Sequence, residues 1–182
     1  MPETVEAFIN AMGHETFTLM GFSFGGLLAL RTLEHLHERI DKVILLSPCV
    51  SRRALKWPTY RQWLFRASVN AMKNSYVLRG THYVLNMPYL ETPLTYALSK
   101  VSNIDRRILQ EKNAIRMPLS TLDVFTYTVD EILKTEYAYP DAPFDNPCYY
   151  GMSVHDDLLD YEITTEVVQQ LFSTIISVSS CV

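Results

Sequence analysis

The 182 residues are 48% hydrophobic and 20% charged, a balance that builds a folded core and excludes a disordered chain. The net charge of -4, from 16 basic and 20 acidic residues without a basic run, argues against non-specific nucleic-acid binding. No basic region followed by an apolar stretch opens the chain and no apolar run reaches a membrane span, so neither a signal peptide nor a span is expected, and the expected location is the cytoplasm. Cys49, Cys148 and Cys181 have no metal-like spacing, and their odd number does not make a disulfide framework.

In chain order, residues 1–12 read as a helix. Pro2 suits a first helical position, Glu3 and Glu6 suit the positive end, and Val5, Phe8, Ile9 and Met12 make one face. Gly13 is the expected C′ residue. A short apolar strand follows over 16–20, and then Gly21-Phe22-Ser23-Phe24-Gly25, which fits G-x-S-x-G, the nucleophile elbow. A serine in so sharp a strand-to-helix turn has a strained backbone, and the residues two before and two after it are expected to need the smallest side chain. The turn projects the Ser23 hydroxyl beyond the sheet and points the Phe24 backbone amide where an oxyanion would form. The helix N-terminus behind it favours that negative charge.

This elbow resembles that of the α/β-hydrolase family, and neighbouring segments agree. Leu27, Leu28, Leu30, Leu33 and Leu36 give the next helix a broad apolar face. Residues 42–46 form a near-continuous apolar run closed by Pro48, as in a parallel strand buried on both faces. The resemblance implies a partial α/β-hydrolase fold: a mostly parallel sheet flanked by helices, with residues 1–48 and 147–182 as core. Strands are expected over 16–20, 42–46, 148–154 and 174–179, all parallel, with right-handed crossovers. The elbow strand, central in the family's sheet, becomes an edge here and a route to self-association.

Residues 49–146 change character. Aromatics and methionines are dense (Trp57, Tyr60, Trp63, Phe65, Met72, Tyr76 among them) and are interrupted by Pro58, Pro88, Pro93 and Pro118. Helices are expected over 61–76 and 122–134. Many relatives insert a helical lid here, so the resemblance implies a lid whose soft, flat side chains cover an apolar portion of a small-molecule substrate.

After Asp145-Asn146-Pro147, the 148–154 strand leads into His155-Asp156-Asp157-Leu158-Leu159. The family carries its triad acid in such a loop, which makes Asp156 the implied acid and Asp157 the alternative one position on. Ser153 stands where the family commonly has glycine. The acid's role would be to orient an imidazole. A metal site at His155, Asp156 and Asp157 lacks further ligands at any nearby spacing, so no metal or other cofactor is expected.

The triad histidine should follow one further helix, expected over 164–172, and the last strand, but no histidine comes after His155. The base is therefore not found in the chain. His35 and His37 read as surface residues, and His82 lies in the insertion. The front is short as well, without the loop that gives the family its second oxyanion amide. The implied activity is cleavage of carboxylic esters, thioesters or related acyl compounds by a serine hydrolase truncated at both ends. The alternatives are a non-catalytic binding module and an acyltransferase.

Overall fold

A computed structural model describes residues 2–87, 89, 90, 92, 93, 95, 96, 118–135 and 142–180. Cys181, Pro88 and much of the expected lid lie outside the described residues. The chain divides into two compact units: Met1–Pro58 with Lys134–Val182, and Thr59–Leu133.

The first unit is built on four parallel strands, β1 (Phe17–Phe22), β2 (Ile40–Leu46), β3 (Cys148–Ser153) and β4 (Ile175–Ser180), side by side in that order. Parallel neighbours need crossovers. These are α2 (Phe24–Leu36) between β1 and β2, and α6 (Tyr161–Leu171) between β3 and β4. β2 is central, and its Val43 and Leu45 are completely buried. β1 is an edge, with Met20 and Phe22 exposed. Leu27, Leu30, Leu33 and Leu36 of α2 are buried as their spacing predicts, whereas Leu28 is only half-buried. Val167, Val168 and Leu171 seat α6, which starts at Asp160, whose carboxylate accepts the Ile163 amide at 3.0 Å.

Helix α1 (Pro2–Ala11) ends as expected, with Gly13 at φ 73. Its predicted apolar face is not a buried one. Ile9 is buried, but Phe8 and Met12 are more than half exposed. At the amino end of the sheet, Asn146 Nδ2 donates to the carbonyls of His37 at 2.9 Å and Ile40 at 2.6 Å, fixing the entry to β3 against the start of β2.

The second unit contains α3 (Thr59–Met72), α4 (Ser75–Leu85) and nearly all of α5 (Leu119–Lys134). The single helix expected over 61–76 is two. Asn74 accepts the Tyr76 amide at 3.0 Å through its side chain and starts a new helix, and that capping preference overrides the continuing aromatic pattern. Val69, Leu78, Leu122 and Leu133 are buried. The Lys73 ammonium, just beyond α3, pairs with the buried Asp130 carboxylate of α5 at 2.5 Å.

Candidate active site

Ser23 stands between β1 and α2 with φ 50 and ψ −120, a conformation that an L-residue adopts only when its surroundings impose it. The surroundings do so through three backbone bonds. The Ser23 amide donates to the Leu46 carbonyl at 3.0 Å, extending the β1–β2 ladder by one residue. The Ser23 carbonyl accepts from Gly26 at 3.0 Å and from Cys49 at 2.9 Å. Its side chain makes no cap to α2, which leaves the hydroxyl uncommitted to that helix. Ser23 and Phe24 are both half-buried.

The glycines divide differently from their place in the motif. A Cβ at Gly21 would stand 2.6 Å from the Gly25 carbonyl oxygen and 2.7 Å from the Gly26 Cα, so β1 admits only glycine there. A Cβ at Gly25 would meet nothing within 4 Å. The intolerant position is the next one: a Cβ at Gly26 would lie 2.4 Å from the Pro48 Cβ. The turn after β2 is therefore packed directly against the elbow, a relation no spacing in the sequence displays.

That turn is strained too. Ser47 has φ 40, and its amide donates to the Gly151 carbonyl at 2.8 Å. Pro48, Cys49 and Val50 behind it are buried. Burial pushes the Cys49 thiol up to about 11, which keeps it protonated and unreactive at neutral pH.

Asp156 lies in the loop leaving β3. With all strands parallel in the order β1-β2-β3-β4, Ser23 and Asp156 share the carboxyl end of the sheet, two strands apart. Asp156 Oδ1 accepts the amides of Leu158 and Leu159, both at 2.9 Å, so the carboxylate shapes its own turn. Asp156 is half-buried, whereas Asp157 and His155 are exposed. The segment after β2 straps this loop. Leu55 bridges Leu159, the Lys56 amide donates to the Leu158 carbonyl at 2.9 Å, and Lys56 Nζ donates to the Asp156 carbonyl at 2.7 Å.

Residues 1–79 match the family model of the alpha/beta hydrolase fold. Solved structures match nearly the whole chain. An alpha/beta hydrolase from a Medee basin deep-sea metagenome library is 16% identical, with TM-score 0.58 over 98% of this chain and 62% of that one. A hydrolase from Pseudomonas aeruginosa is 16% identical, with TM-score 0.60 over 99% and 62%. The 2-hydroxy-6-oxo-6-phenylhexa-2,4-dienoate hydrolase of Rhodococcus sp. strain RHA1 is 15% identical, with TM-score 0.59 over 98% and 60%. The fold is that of the α/β-hydrolase family. No curated protein matches the sequence. The chain spans about three fifths of the α/β-hydrolase structures it matches.

Among the remaining sequence-predicted residues, His35 and His37 are exposed, and His82 lies on α4 in the second unit. No helix among the described residues is long and apolar enough to cross a membrane. No motif in the sequence ties Ser47, Cys49, Gly26 or Lys56 to the elbow or the Asp156 loop. The Pro48 stop was visible, but the backbone contacts of its neighbours depend on β2 lying beside the elbow.

Proposed function

We propose that this protein serves serine-dependent acyl hydrolysis, with Ser23 as nucleophile and Asp156 as the acid that orients an imidazole. The observation that carries this reading is the strained Ser23 at the start of α2, with φ 50 and no cap to the helix. In the reaction, Ser23 Oγ bonds to the acyl carbon while its proton passes to the imidazole. The oxyanion rests on the Phe24 amide and the positive end of α2. Collapse breaks the bond to the leaving alcohol or thiol, which takes the proton back. Water, activated by the same imidazole, then releases the acid. Ser23 and Asp156 lie about 10 Å apart laterally at two inter-strand spacings, which leaves room for an imidazole flanked by two hydrogen bonds. Asp156 is preferred to Asp157 because it is half-buried and held by two amides.

The substrate class is a carboxylic ester, thioester or related acyl compound with an apolar portion. The aromatics of residues 49–146, read as a lid, support that portion. Two alternatives remain open. Acyl transfer follows if an acceptor other than water resolves the acyl-enzyme. The second is a non-catalytic binding role, in which the site holds an acyl compound without turning it over.

Turnover of a short-chain nitrophenyl ester tests the reading. With imidazole supplied, hydrolysis above the imidazole background that is abolished by Ser23→Ala and strongly reduced by Asp156→Asn is the expected pattern. Hydrolysis that survives Ser23→Ala excludes Ser23 as nucleophile. Should hydrolysis proceed without imidazole, His82→Ala examines the histidine of the insertion.

A further inference from the structure

The carbonyl of Ser23 and the N–H of Phe24 belong to one peptide group, and in a trans peptide they point in opposite directions. Whatever holds the Ser23 oxygen therefore aims the Phe24 N–H. Two donors hold it. Gly26 is the ordinary first-turn partner within α2, at 3.0 Å, and Cys49 is a partner from outside the helix, at 2.9 Å. We propose that the backbone amide of Cys49, delivered by the Ser47–Pro48 turn, is the positioning group that aims the Phe24 N–H at the developing oxyanion.

Three independent features of the turn support this. Ser47 and Ser23 are the two non-glycine residues with positive φ among the described residues, at 40° and 50°. They stand at neighbouring positions, because Phe22 pairs with Leu46 and each strand then gives up its regular path at the following residue. Strained residues persist only where the surroundings over-determine them, and here two do so together. Pro48 is seated on Gly26 so closely that a Cβ on the glycine would be 2.4 Å away, so the turn cannot slide along α2. Ser47 is anchored from its other side by donating to Gly151 of β3 at 2.8 Å. The turn is thus fixed to β3, to α2 and to the nucleophile's own carbonyl. The Cys49 side chain has no part in it: the thiol is buried and protonated.

This inference rests on the reading of Phe24 as oxyanion donor, but its geometry is testable apart from that reading. The experiment replaces the Cys49 amide by an ester through semisynthesis, deleting one N–H and keeping the side chain, with Cys49→Ala as the complementary variant. The direction of the Phe24 N–H is read from its residual dipolar coupling in an aligned medium. Fluorophosphonate labelling of Ser23 is followed in parallel with imidazole added. The expected result is a changed Phe24 coupling in the ester variant, unchanged couplings for Val43 and Leu45 within β2, and labelling slowed by about tenfold or more. Cys49→Ala should leave both Phe24 coupling and labelling at wild-type values. A Phe24 coupling unchanged by the ester overturns the inference, as does one changed equally by Cys49→Ala. If the coupling changes while the wild-type protein is never labelled, the positioning stands and the nucleophile reading fails. If the ester variant does not fold, the same readouts are made on Ser47→Val, whose branched side chain is strained at φ 40 and displaces the turn while keeping the Cys49 N–H. It must then change the Phe24 coupling, and an unchanged coupling overturns the inference.

Discussion

Gly26 and Pro48 meet so closely that a single added carbon on the glycine would fall 2.4 Å from the proline Cβ and 2.9 Å from its Cα. Gly25, one position earlier, has open space around the same direction. The two substitutions should therefore have opposite signs. Gly25→Ala gains helix propensity and should stabilise by up to about 1 kcal/mol. Gly26→Ala must displace the buried turn after β2 and should destabilise by about 1–3 kcal/mol despite the same propensity gain. Urea denaturation of the two variants checks this, and equal effects would contradict the packing described.

Ser47 should tolerate glycine and reject branching. At φ 40, glycine adopts the backbone without a steric penalty, so Ser47→Gly should be neutral or slightly stabilising. Ser47→Val places a β-branched residue in the left-handed region and should cost about 1–2 kcal/mol or more. Melting temperatures of the two variants rank them.

The strand-helix order and the sharp glycine-serine turn were legible because their constraints are local. The elbow writes itself as glycine, serine and glycine, the apolar run of β2 reports burial on both faces, and Gly13 reports a helix end. Contacts across the sheet were not legible. Gly26 carries the steric constraint assigned to Gly25 because of where Pro48 lies, and the strain at Ser47 has no signature in a serine. The face of α1 was read from its period, yet Phe8 and Met12 are exposed; period describes which residues share a face, not whether anything covers it. Asn74 starts α4 inside the helix expected over 61–76, a cap that the aromatic pattern on either side conceals.

Two buried thiols make stability fall in alkali. Burial pushes Cys49 from its ordinary 9.0 up to about 11 and Cys148 up to about 12. Above pH 9 the unfolded chain releases these protons while the folded chain keeps them. The stability present below pH 9 is therefore lost as pH rises toward 11 and 12, by up to about 1.4 kcal/mol per pH unit for each thiol. The double variant Cys49→Ala, Cys148→Ala should show a shallower decline between pH 9 and 11 when unfolding is followed by circular dichroism. An identical decline would mean the thiols titrate alike in both states.

Substitutions at Asp156 should set its hold on the turn apart from the acid role proposed for it. Asp156→Asn keeps an oxygen for the Leu158 and Leu159 amides and should leave stability within about 0.5 kcal/mol of wild type, whereas Asp156→Ala abandons both amides and should cost about 1–2 kcal/mol. Asp157→Asn, on an exposed side chain, should change neither stability nor any Ser23 reactivity.

Strand β1 has no charged residue in Phe17–Phe22 and, among the described residues, lies at the edge of the sheet with Met20 and Phe22 exposed. Such an edge pairs readily with a second strand. The 182-residue polypeptide should self-associate with rising concentration, and a lysine at Met20 (Met20→Lys) should suppress this. A sedimentation profile of a stable monomer at high concentration would remove the edge as an association site.

The site-mapped rate of fluorophosphonate labelling, measured on the folded 182-residue polypeptide with and without added imidazole, tests the account most directly. A serine hydroxyl without a base to take its proton is a weak nucleophile near neutral pH, and this is what is expected of Ser23 without imidazole. The expected result is slow labelling confined to Ser23, accelerated by imidazole in proportion to its neutral form, and absent from Ser23→Ala. An adduct on another residue, or a rate indifferent to Ser23→Ala, would contradict the assignment of Ser23 as the nucleophile. Rapid labelling of Ser23 without imidazole would contradict the expectation that none of the five histidines serves it as a base.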